Sequence, residues 1–278
     1  EDGPALATMR MLVEDFLPER IDFALNLPDT PLPVSQDITA DIAARWLYGA
    51  PAADLPVEGE LTLPPARSLP GWEGYVFGRH DDNQPQGAGM LAGTTDAEGI
   101  YHLKASLPSS MAAATRPWNL TVRLDVLEGA GRPVERTDTA LILPAAVTLG
   151  IKPDFADLTV PEGTEASFSV IALGADMQPA AGTYGWQLNR IESDYQWYSI
   201  DGDWQWEAIT NRTSIASGEV TLDGSGPATV TAPVEWGEFE LVLQDENGAE
   251  SSILFYAGWG AATGAQETPD RLRVTLDK

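Results

Sequence analysis

Cysteine is missing from all 278 residues. That removes disulfides, zinc–thiolate sites, cysteine nucleophiles and iron–sulfur clusters from consideration. It leaves the redox compartment open, since a chain without thiols tolerates both conditions. Histidine is nearly as scarce, with two residues, His80 and His102. The spacing gives no reason for them to converge on a metal, so the polar run GRHDDNQPQG reads as a surface loop carrying His80, and His102 reads as a strand-face residue. No Gly-x-Ser-x-Gly elbow and no Gly-Lys-Ser/Thr loop occurs, so neither a serine hydrolase nor a phosphate-binding loop is indicated. Positive charge is sparse: 16 Lys and Arg stand against 42 Asp and Glu, a formal net charge of −26. Such a chain repels phosphate backbones and anionic lipid, so nucleic acid and direct membrane contact are poor partners for it. No apolar stretch reaches the ~18 residues of a spanning helix. The first residue is Glu1 rather than Met, and the last stretch, RLRVTLDK, reads as a strand. An excised fragment is the expectation, with any targeting segment outside it.

What the chain does contain is period-two alternation. Ile21, Phe23, Leu25 and Leu27 alternate with Asp22, Ala24 and Asn26, as on a half-buried strand. Similar runs predict strands at 38–48, 57–63, 74–77, 100–107, 118–127 and 134–143, seven before Pro144. After it, strands are predicted at 147–151, 166–173, 184–191, 196–200, 204–209, 218–222, 228–231, 239–244 and 251–256. The 21 Pro and 26 Gly are spread along the chain, as turns between many short strands require. Only 109–115, rich in Ala, hints at a helix. The fold class that follows is all-β: two consecutive antiparallel sandwiches of the immunoglobulin or fibronectin-III kind.

Internal repetition divides the chain. Pro18-Glu19-Arg20-Ile21 opens one alternating run and Pro269-Asp270-Arg271-Leu272 opens another. Each half also closes on a strand, a link ending in Trp and a long hairpin. The expected domains are a first sandwich over 1–145, with 1–15 a lead-in from a preceding domain, and a second over 146–262. Residues 263–278 are then a linker and the first strand of a truncated third. The glycine run 258–264 reads as that linker rather than a nucleotide loop.

Aromatic residues gather at 186–206, where Trp186, Tyr195, Trp197, Tyr198, Trp204 and Trp206 fall on a predicted hairpin turning at Asp201-Gly202. Trp197, Tyr198, Trp204 and Trp206 are the candidate interdomain or partner surface. Three readings stand side by side: burial in a core or seam, a face for a protein partner, or a platform for sugars. Asp194, Asp201 and Asp203 lack the spacing of a calcium loop and read as turn formers. Trp46, Trp118 and Trp236 are expected in the core. No catalytic, metal or cofactor residue is assigned.

Several stretches carry a resemblance. Phe16-x-Pro18-x-Arg20, the turn Tyr48-Gly49-Ala50-Pro51 and the strand start Pro56-Val57-Glu58-Gly59 are similar to the opening of a macroglobulin domain. Residues 150–173 and the aromatic hairpin at 190–209 look like the next such domain, and ETPDRLRVTLDK like the opening strand of the one after it. From Val13 onward the chain resembles the bacterial alpha-2-macroglobulin family. What this resemblance implies is a non-catalytic scaffold segment of a protease trap, an endopeptidase inhibitor of the periplasm or cell surface whose parent is in some cases a lipoprotein. A thioester needs Cys, so by the family's domain order both the thioester and the bait segment would lie further toward the C-terminus. The implied partners are neighbouring macroglobulin domains, and target proteases only through the parent. The rival expectation is a carbohydrate-binding or adhesin-type module that uses the aromatic hairpin.

Overall fold

The computed structural model describes residues 19–66, 68–82, 87–129, 133–200 and 203–258, with residues 87–88, 110, 112, 193–200 and 203–209 described by their backbone alone. The strands are β1 (Ile21–Asp22), β2 (Leu32–Pro33), β3 (Ile38–Ala43), β4 (Arg45–Trp46), β5 (Pro56–Leu63), β6 (Val76–Phe77), β7 (Gly87–Thr94), β8 (Ile100–Ala105), β9 (Trp118–Val126) and β10 (Val134–Leu143). They continue with β11 (Thr148–Pro153), β12 (Thr159–Val160), β13 (Thr164–Leu173), β14 (Ala181–Ile200), β15 (Asp203–Asp223), β16 (Ala228–Val234), β17 (Gly237–Gln244) and β18 (Glu250–Ala257). The Ala-rich stretch forms a single 3-10 turn, Ser109–Ala113.

In the first half, the sheet β2-β10-β9-β5-β7 packs against the pairs β3-β8 and β1-β4. Strict alternation along β9 buries Trp118, Leu120, Val122, Leu124 and Val126 on one face, and they meet Ile21, Ile38, Ile42 and Leu103. In the second half, β16-β13-β11-β6 packs against β12-β18-β17-β14-β15, around Phe168, Phe239, Phe255, Leu188 and Leu241. The two cores are separate clusters, and β10 ends at Leu143 before β11 begins at Thr148.

Several expectations need correction. Residues 21–27 alternate buried and exposed as predicted, yet only Ile21 and Asp22 pair with a strand. Side chains of β10 take the place of a ladder further on: Asp138 Oδ2 accepts from the Leu27 amide at 2.7 Å, and Arg136 Nε donates to the Phe23 carbonyl at 3.2 Å. Strand β7 went unpredicted because GAGMLAGT is built from Gly and Ala around Met90 and Leu91, with no aromatic residue and a β-branched one only at its end, Thr94. Two short pairings, β2 with β10 and β12 with β18, are parallel. Alternation sets which face is buried, not which neighbour a strand takes. Finally β6, expected in the first sandwich, is hydrogen-bonded to β11 in the second. Trp118 is fully buried, whereas Trp46 and Trp236 are half-buried at strand edges.

Candidate functional site: the seam between the sandwiches

Between β5 and β7 the chain leaves the first sandwich and lies along the second. Strand β6 joins the second sandwich through Gly150↔Phe77 and Ile151↔Val76. Glycine is required at position 150, because a Cβ there would stand 2.6 Å from Phe77 Cε1. Around this pair Ala66, Leu69, Tyr75 and Phe77 bury themselves against Ile171 and Leu173 of β13. Burial raises the Tyr75 phenol above its ordinary pKa, and Lys152 Nζ lies 5.8 Å from the centre of its ring.

The chain then turns at Gly78 (φ +76°), where a Cβ would stand 2.3 Å from Arg116 Cβ. The next residues, Arg79 to Asp82, are held from both sides. On the first-sandwich side, Thr115 Oγ1 accepts from the Arg79 amide at 2.9 Å, Asp82 Oδ2 accepts from the Thr115 amide at 2.8 Å, and the Arg116 guanidinium donates to the Arg79 carbonyl. On the second-sandwich side, the Ser252 amide donates to the Gly78 carbonyl at 3.2 Å, and Ser252 Oγ accepts from the His80 amide at 3.1 Å.

A charged network closes the seam. Glu240, on β17, is the one carboxylate among the described residues that is wholly buried (0% exposed). It receives Arg79 Nη2 at 3.3 Å, Arg212 Nε at 3.2 Å and Asn189 Nδ2 at 3.2 Å, and His80 Nδ1 lies 3.3 Å away. Arg79 also binds Asp81 at 2.8 Å and Glu250, while Arg212 Nη2 reaches Asp81 at 3.1 Å. The hydrogen bonds to Asp81 hold the Arg79 guanidinium protonated well beyond its ordinary range and hold the Asp81 carboxyl below its own. Burial pushes the His80 imidazole down, against the pull of the Glu240 and Asp81 carboxylates.

The chemistry open to this cluster is limited. His80, Asp81 and Glu240 bring ligand atoms within 4.8 Å of one another. The guanidiniums of Arg79 and Arg212 already occupy both carboxylates, so the ion pairs fill the space and supply the charge a cation would bring. Nor is there a relay: Ser252 Oγ (2.7 Å) and Glu240 Oε1 (3.3 Å) both face Nδ1 of His80, whereas a Ser-His-acid triad uses the two ring nitrogens separately. The arrangement fastens two domains.

The surface-loop reading of His80 is therefore corrected: its neighbours come from a sandwich more than 150 residues further along the chain, which no local pattern reveals. His102 does sit on a strand face, exposed, with Nδ1 2.7 Å from Asp41 Oδ1. The aromatic candidates lie on β14 and β15, now single strands of 20 and 21 residues rather than pairs of short ones. Trp197 stands opposite Trp206, Tyr198 opposite Gln205 and Ser199 opposite Trp204. The side-chain surroundings of these residues, the turn at 201–202 and the third-domain strand lie outside the described residues.

Residues 19–144 match the model of the bacterial alpha-2-macroglobulin MG5 domain, and residues 150–259 that of bacterial macroglobulin domain 6. The chain belongs to the bacterial alpha-2-macroglobulin family. It is 31% identical to the alpha-2-macroglobulin of Escherichia coli K12 over 96% of its own length, and 30% identical to that of Xylella fastidiosa over 99%. In each case it spans 17% of the relative. The native E. coli alpha-2-macroglobulin superposes with a TM-score of 0.69 at 28% identity, covering 95% of this chain and 18% of that one. The Salmonella protein reacted with methylamine gives 0.68 at 28% identity, covering 95% of this chain and 18% of that one. The E. coli protein activated by porcine elastase gives 0.69 at 29% identity, covering 89% of this chain and 22% of that one. Both halves of this chain are macroglobulin-type β-sandwiches.

Proposed function

We propose that the chain is a non-catalytic structural segment of a longer bacterial alpha-2-macroglobulin-type protease inhibitor, working in the periplasm or at the cell surface. On this reading it supplies two domains, 1–145 and 146–262, with 263–278 leading into a third, and protease capture is an activity of the parent alone. The carrying observation is the seam. A strand from the first sandwich completes a sheet of the second, and Arg79 locks against the buried Glu240 beside it. Such a joint fixes the relative orientation of two shell domains, which a scaffold needs and an independent binding module does not. The family membership, and the activation of the E. coli relative by the proteases elastase and trypsin, support the assignment.

The test compares the chain with the full polypeptide that carries it. The full polypeptide is expected to protect a large chromogenic substrate from elastase, while the 278-residue chain inhibits no protease and hydrolyses neither peptide nor glycoside. Stoichiometric inhibition by the chain itself, or turnover abolished by changing one carboxylate, overturns the proposal.

A further inference from the structure

Strands β14 and β15 outrun their sandwich. β14 pairs with β17 only as far as Ile191↔Glu238. The nine rungs from Glu192↔Asn211 to Ile200↔Asp203 are made by β14 and β15 with each other alone among the described residues. At ~3.3 Å per residue this is a two-stranded arm about 30 Å long. Residues opposite one another in an antiparallel pair share a face, and alternate residues along each strand do too. The register therefore sorts the arm into two unlike faces. One carries Tyr195, Trp197, Trp204 and Trp206 with Ser, Thr and Ala, and has no charged residue. The other takes Glu192, Asp194, Asp203 and Glu207 interspersed with Tyr198, Ile200 and Ile209, and the arm from 192 to 210 contains no Lys or Arg.

The same alternation puts the tryptophan face in line with Asn189 and Arg212, on the face of the sheet that also presents Glu240. The base of that face is already an interdomain contact, covered by residues 78–82 of the first sandwich. We propose that the tryptophan face of the arm continues this seam and is a docking surface for a further macroglobulin sandwich of the same polypeptide, one offering an uncharged apolar surface. This rests on the reading that the chain is part of a longer macroglobulin.

Size and chemistry favour a partner in cis. A ribbon about 30 Å long and about 10 Å wide offers roughly 300 Å², well under the ~800 Å² per partner of a stable free complex. Tethering supplies the missing affinity through effective concentration, and the relatives are long enough to supply the neighbour, since this chain spans 17% of them. A second copy is disfavoured by a net charge of −26 on each. A sugar is disfavoured because the arm's own carboxylates and amides, which would bind its hydroxyls, fall on the opposite face.

Hydroxyl-radical footprinting of the 278-residue chain and of the full polypeptide tests this, with oxidation of Trp197, Trp204 and Trp206 read by mass spectrometry. Expected is ready oxidation in the chain alone and several-fold protection in the full polypeptide. Trp197→Glu should restore oxidation of Trp204 in the full polypeptide and leave the melting temperature of the chain alone unchanged. Equal oxidation in both proteins, or full protection already in the chain alone, overturns the proposal. So does saturable binding of chitohexaose or cellohexaose by the chain that Trp197→Ala removes. Protease inhibition by the full polypeptide is scored separately: if it holds while the tryptophans stay unprotected, only the docking surface falls.

Discussion

Glu240 is where a single side chain decides most. A carboxylate withdrawn from water survives in a fold only if cations and donors surround it, and here Arg79, Arg212 and Asn189 all do. Replacing both Arg79 and Arg212 with Met leaves the carboxylate buried without a cation. The expected loss is ~3–5 kcal/mol in urea denaturation, and adding Glu240→Leu to that double variant should recover most of it. A triple variant no more stable than the double would show that the network is not the source of the cost. His80 adds a pH dependence of defined sign. Burial holds its folded pKa below the ordinary 6.5. Its stability contribution is therefore complete above about 6.5 and is lost as the pH falls toward the depressed folded value. The groups facing it are Glu240 and Asp81, which oppose the shift, and Arg79 and Arg212, which reinforce it. His80→Gln should flatten the stability profile over that acid window. His102, raised by its hydrogen bond to Asp41, has the opposite sign, so His102→Gln should remove a contribution that is lost as the pH rises through its folded value. Unfolding free energies of both single variants across about pH 5 to 8 check the two signs. Glycine choices are made at this scale too. Gly59, which the resemblance singled out, lies where a Cβ would stand 2.3 Å from the Arg123 carbonyl oxygen. That is a tertiary reason for what the sequence presents only as a motif.

Among the elements, β6 shows how little a two-residue strand needs in order to matter. Its Phe77 is 1% exposed and is shared between the seam cluster and the strand pairing with β11. Phe77→Ala is expected to cost ~3–5 kcal/mol, the usual loss for a fully buried aromatic ring. The same change should speed proteolysis in 64–82, the stretch that β6 anchors. Unaltered proteolysis there, with the stability lost elsewhere, would separate β6 from the seam. Nothing in Gly74-Tyr75-Val76-Phe77 announces its true partner, because period two reports burial and leaves the neighbour unspecified. The long arm is the opposite case. Its alternation was legible, yet the sequence suggested four short strands where β14 and β15 run unbroken. Polar residues at 192–194 and 210–214 look like interruptions from the sequence, whereas the pairing of β14 with β15 runs through them without a break.

At the scale of the whole molecule, two separate cores joined by a third small cluster should behave as a coupled pair. Calorimetry of the chain is expected to give one cooperative transition. The Phe77→Ala variant should give two, with the second sandwich melting first because it loses an edge strand. Two well-resolved transitions in the unaltered chain would mean that the seam transmits no stability.

The division of labour between sequence and tertiary structure follows from range. Period-two alternation, dispersed Pro and Gly, and the absence of Cys are local properties, and they determined by themselves that the chain is all-β, built as sandwiches and without thiol chemistry. The repeated strand openings and the Tyr-Gly-Ala-Pro turn carried the family resemblance for the same reason, since each is contained in a few consecutive residues. The tertiary structure alone decided that β6 crosses to the other sandwich, that Arg79 and Arg212 converge on Glu240, and that His80 belongs to a joint rather than a loop. Those contacts close loops of up to about 170 residues. Their energy comes from desolvated charge and from close backbone approach, neither of which exists until both domains have folded.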